Sequence, residues 1–130
     1  MLNGRAGAAG RLVAAALALS LGSAAYASRL APGEAISHVG ENADVCETVA
    51  SANYEPKVKG APTFLDLGAP YPKQSFTAVV WGAARARFSV APETLRGATI
   101  CVSGVVAIYR GKTQIEVSDP HQIRTVSSED

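Results

Sequence analysis

Past residue 42 the chain is written in short runs of alternating or wholly apolar positions, cut apart by Gly and Pro. DVCETVASA (44–52) supplies β-forming Val45, Cys46, Thr48 and Val49 and reads as a first strand. TFLDL (63–67) alternates, setting Thr63, Leu65 and Leu67 on one face and Phe64 and Asp66 on the other. SFTAVVWG (75–82) is apolar on both faces, as a central strand must be, and Phe76, Ala78 and Val80 make the better core set, which turns Trp81 outward. ATICVSGVVAIY (98–109) is long for one strand, and Gly104 in its middle predicts a bend or bulge. Arg110-Gly111 makes a hairpin, TQIEVS (113–118) returns with Ile115 and Val117 on one face, and Asp119-Pro120 stops it.

Between these runs, 54–60 and 68–72 are loops broken by Pro and Gly. Residues 83–90 are irregular, and 92–96 open with Pro92 as a short helical turn that Gly97 caps. Residues 28–42 read as an N-terminal arm, 43–124 as the folded domain and 125–130 as a polar tail. No internal repeat is visible.

Residues 1–27 have a different composition. Arg5 and Arg11 precede an apolar run over 12–19, and small residues follow, ending in Ala25-Tyr26-Ala27. These are the parts of a secretory signal peptide, and the run is well short of the roughly 20 residues of a spanning helix. The expectation is cleavage after Ala27 and a periplasmic or secreted protein with no stable membrane insertion. The leader holds two of the twelve Lys+Arg and none of the eleven Asp+Glu, so the remainder is close to neutral. That excludes a histone-like nucleic-acid protein and an acidic disordered chain, and 130 residues exclude a multidomain enzyme. In an oxidising compartment the two cysteines, Cys46 and Cys101, are expected to be joined, with two reduced core thiols as the alternative. His38 and His121 have no paired Cys or His nearby, so no metal is expected.

Five strands, with a short helix between the third and fourth and a Gly-kinked fourth, resemble the oligonucleotide/oligosaccharide-binding (OB) fold. HVGENADVCETVAS, PTFLDLGAPYP, SFTAVVWG and GATICVSGVVAIYRGKTQIEVSDPHQI are similar to small secreted bacterial OB-fold proteins. The last stretch is the most specific, through Gly-x-x-x-x-Tyr-x-Gly over 104–111. The resemblance implies an all-β, five-stranded Greek-key barrel. It also places the first and fourth strands side by side, so that Cys46 and Cys101 fall on adjacent strands, Cys101 on the outer face.

OB-folds bind across strands two and three, between the loops joining strands one to two and four to five. Here those loops carry Lys57 and Lys59, and Arg110 and Lys112, with Tyr54 and Tyr109 beside them. Phe64, Thr77 and Trp81 lie on the predicted outer face. Cations that track a phosphate backbone, interleaved with rings that stack bases, suit single-stranded nucleic acid. The expected interface is therefore Lys57, Lys59, Phe64, Trp81, Tyr109, Arg110 and Lys112, with no cofactor. Solvated loop cations, with Trp81 packed under the helix, are the plainer alternative. A module binding an envelope protein, glycan or small ligand is the other. No enzyme is expected. The barrel resembles that of staphylococcal-type thermonucleases, but Asp66 is the lone strand carboxylate and no Asp–Arg–Glu set matches; neither histidine lies on a barrel strand.

Overall fold

The computed structural model describes residues 28–127. The expected signal peptide therefore lies outside the described residues. The strands are β1 (Ser28–Leu30), β2 (Asn42–Tyr54), β3 (Thr63–Leu67), β4 (Phe76–Val80), β5 (Thr99–Val105), β6 (Ala107–Tyr109), β7 (Lys112–Val117) and β8 (Ile123–Thr125). A single α-helical turn, α1, spans Gly82–Arg85, and three 3-10 turns, η1 to η3, span Pro32–His38, Pro92–Leu95 and Pro120–Gln122.

The first half of β2 pairs antiparallel with β5 and its second half with β3, the register shifting between Val49 and Ser51. β3 pairs with β4, β4 runs parallel to β7, and β7 pairs back with β6. β5 continues into β6 through Val106, whose backbone exchanges hydrogen bonds with Gly40 and Glu41. The barrel closes in this way, with the strand connectivity of an OB-fold. Its interior is the inward-parity set read from the alternation: Leu65, Leu67, Phe76, Ala78, Val80, Ile115 and Val117 are fully buried, together with Val45, Ile100 and Val102. Each large side chain buried there contributes about 1.5–3 kcal/mol relative to exposure.

Gly104 serves close approach. A Cβ there would lie 2.7 Å from Ile115 Cγ2, so no other residue lets β5 cross β7 at this distance. The strand itself is interrupted two residues later, at Val106, because that residue's backbone is paired with the segment before β2.

Three readings of the sequence need correction. The arm is part of the fold: β1 pairs parallel with β2, and η1 buries Pro32 and Ala35 against the barrel. The stretch read as irregular from residue 83 is entered by α1, which starts at Gly82, whereas the helical turn expected after Pro92 is present as the 3-10 turn η2. The polar tail begins inside β8, which pairs with β5 from Ile100 to Val102.

Cys46 and Cys101 are direct cross-strand partners, their Cα atoms 4.0 Å apart, and their sulfurs are bonded. Both have outward parity, as expected. Cys101 is nevertheless fully buried, because β8 runs along β5 with Arg124 as the cross-strand partner of Cys101. Arg124 makes two hydrogen bonds to the Asp44 carboxylate, at 2.7 and 3.2 Å, and Ser103 Oγ donates a third at 2.7 Å. Asp44 lies within 4.8 Å of both sulfurs, but the thiols are spent in the disulfide and the carboxylate holds a guanidinium, so this cluster is not arranged for a metal.

Candidate functional site

Strand parity decides which side chains share the outward face of β2, β3, β4 and β7. Asn53, Phe64, Val79 and Glu116 stand in one cross-strand row; Ser51, Asp66, Thr77 and Gln114 stand in the next. Trp81 follows β4 on the same side, and Tyr109, paired with Lys112, joins it from β6. The loop 55–62 leaves from one end of this face and the β6–β7 hairpin from the other. About 17 Å of strand separates them, at about 3.3 Å per residue over the five residues of β4.

Lys57 and Lys59 are exposed at the first end. Trp81 is half-buried beside them and held at two points. Its Nε1 donates to Glu116 Oε1 at 2.9 Å, and its benzo carbons lie against Gly60, where an added Cβ would come within 2.9 Å of Cε3 and Cζ3. Gly60 has φ +83°, so both backbone and space require glycine. The indole is therefore held as a plate at the mouth of the basic loop.

At the other end, Arg110 (φ +53°) and Gly111 (φ +84°) form a two-residue turn in which both residues are left-handed, the type I′ geometry that matches strand twist. Tyr109 is 57% exposed, and the Arg110 guanidinium lies 5.2 Å from its ring centroid. These two exposed groups are paired as a ring and a cation.

Between the ends the face is filled rather than cleft-like. Phe64 is half-buried, Val79 is buried, and the loop 68–75 folds across the lower row. Asp66 is buried beneath it and accepts from Ser51 Oγ at 2.7 Å and Thr77 Oγ1 at 2.9 Å, while Tyr71 N donates to Ser51 Oγ. Thr77, expected on the open face, is thus covered. Lys112 does not stand free either: its Nζ donates to the carbonyls of Pro72 (2.6 Å) and Gln74 (2.7 Å) and fastens the loop to the hairpin. Tyr54 also departs from expectation. Its ring is capped at 3.5 Å by the Arg85 guanidinium, which is held in turn by Glu93 and Thr63 and closes one barrel end.

The same loop adds two residues that the sequence reading missed. Tyr71 is 72% exposed and Lys73 is exposed, both carried onto the outward face by the Tyr71–Ser51 hydrogen bond. Pro70 and Pro72 marked the segment as a turn, and nothing in a turn signal says which way it folds.

A groove of about 650 Å³ lies apart from this face, between residues 87–95 and 119–125. Its arginines are committed: Arg87 donates to Ser118 O and approaches Asp119, and Arg124 holds Asp44. His121 Nδ1 lies 3.0 Å from the Asp119 carboxylate, to which it donates, with its side chain in solvent. The groove is lined largely by Phe88, Val90, Pro92, Leu95 and Ile123, and its arginines are already paired, so the ring-and-cation face is chemically the better defined site.

No protein-family model matches the chain, and no curated protein matches it. Among solved structures it is similar to the OB domain of a protein from Methanosarcina mazei, at 18% identity and a TM-score of 0.52, over 72% of this chain and 79% of that one. It is also similar to a candidate aspartyl-tRNA synthetase from Leishmania major Friedlin, at 14% identity and a TM-score of 0.50. That match covers 81% of this chain but only 22% of the synthetase. At these identities the likeness shows the fold: an all-β OB barrel.

Proposed function

We propose that the protein is an exported, non-catalytic OB-fold module that binds single-stranded nucleic acid weakly through the outward face of β3 and β4. The observation that carries this reading is the arrangement of one ring with exposed cations at each end of one strand face: the half-buried Trp81 with Lys57 and Lys59, and the exposed Tyr109 with Arg110. Rings stack bases without regard to sequence, and cations follow the phosphates between them. Lys112, whose amine fastens the loop beneath the path, positions this surface, and Tyr71 and Lys73 extend it. Asp66 is enclosed by hydroxyl donors, so it supplies no accessible carboxylate for hydrolysis, in keeping with a binding role. The leader and the Cys46–Cys101 disulfide support export.

Variants separate the contributions. Trp81→Ala is expected to weaken oligonucleotide binding by about 1–3 kcal/mol at every salt concentration, because it removes a stacking plate. Lys59→Ala, and Arg110→Gly, which keeps a turn that glycine accommodates, should each reduce the log–log salt slope by about 0.7. Unchanged affinity in all three would move the function to a protein or glycan partner.

A further inference from the structure

We infer that Glu116 makes this face selective for bases that carry an exocyclic amine, cytosine over thymine in particular. The inference rests on the nucleic-acid reading above and assigns a specificity-determining residue within it. Glu116 stands in the same cross-strand row as Phe64 and Val79 and is exposed. Its Oε1 accepts from Trp81 Nε1 at 2.9 Å, which leaves Oε2 for a ligand. Among the described residues no Lys or Arg forms an ion pair with it. An unneutralised carboxylate on a surface otherwise suited to phosphates works against binding unless it is met by a donor.

Trp81 presents its benzo carbons to Gly60 and its N–H edge to Glu116, so a base resting on the indole has the carboxylate at its rim. A carboxylate only accepts hydrogen bonds. The N4 amine of cytosine donates to it, whereas the O4 carbonyl of thymine sets a second acceptor against it. The two bases stack comparably, so the preference arises from this edge and not from the ring. Purines are read by the same rule: the adenine N6 amine is accepted.

The test compares oligo-dC and oligo-dT of equal length on the wild-type protein and on Glu116→Gln. Affinity is read by anisotropy and by quenching of Trp81, the only tryptophan in the chain. Glutamine keeps an oxygen for Trp81 Nε1 and turns an N–H2 toward the ligand, so the plate stays in place while the donor–acceptor sense of the rim changes. Thermal melts and unchanged Trp81 emission verify that the variant is folded. The expected result is oligo-dC bound about fivefold tighter than oligo-dT by the wild type, and a ratio near one or inverted in Glu116→Gln. Equal affinities in the wild type would overturn the base preference and leave the nucleic-acid reading standing. A preference that survives in Glu116→Gln would remove Glu116 from the role. Binding of neither oligonucleotide would overturn both.

Discussion

Gly60 and Trp81 form the contact on which the proposed face depends. At φ +83°, with indole carbons 2.9 Å from where a Cβ would sit, Gly60→Ala combines a left-handed backbone penalty with displacement of the ring. The expected cost is about 1–2 kcal/mol in a denaturant titration, with a red-shifted Trp81 emission as the indole leaves Gly60. An unchanged midpoint and spectrum would show that the ring is not held there. The outward parity of Trp81 rested on a choice between two apolar faces, in which Phe76, Ala78 and Val80 made the better core set, and those three are fully buried. The Arg85 guanidinium over Tyr54 was not legible. The two residues are distant in sequence, and no periodicity announces a stack between a strand end and a single helical turn.

Elements long enough to show a period were readable, and three-residue ones were not. β3, β4 and β7 match their alternation within a residue or two, whereas β1 and β8 are too short to carry one and exist only because β2 and β5 offer open edges. β8 is secured by Arg124 on Asp44, and that pair has a pH signature. Burial pushes the Asp44 carboxyl up, but hydrogen bonds from Arg124 and Ser103, with the charges of Arg124 and Arg29, outweigh it and hold it below its ordinary value. Glu93 shifts the same way, chiefly through its hydrogen bonds from Arg85. A lowered folded-state value means that the stabilisation is present above the unfolded carboxylate range and is lost as pH falls through the folded value. Denaturant midpoints should therefore fall on acidification below about pH 4, and Asp44→Asn should flatten that fall. An identical acid profile in Asp44→Asn would remove the pair from the account.

For the molecule as a whole, the disulfide joins two paired barrel strands, β2 and β5. It spans 55 residues of sequence, and in the chain-entropy model a loop of that length is worth about 4 kcal/mol. Cys46→Ser/Cys101→Ser is expected to lose stability of that order and to melt alike with and without reductant, while the wild type melts lower when reduced. Equal melting of oxidised and reduced wild type would contradict it. The barrel order was legible from turn residues and strand count, and the cross-strand cysteine pair followed from it. The state of the outward face was not, since the fold of the loop 68–75 over Asp66 and the capture of Lys112 by two carbonyls depend on contacts 20 to 40 residues apart in the chain. As proposed, this near-neutral protein binds single strands through rings and a few cations. The most direct test of this proposal is a titration of the oxidised protein with a mixed-sequence single-stranded DNA at low and at physiological ionic strength, followed by Trp81 quenching. Saturable quenching is expected, weakening with salt at a log–log slope of about −2 to −3, the value for three or four phosphate contacts. No quenching at low ionic strength, or binding indifferent to salt, would contradict it.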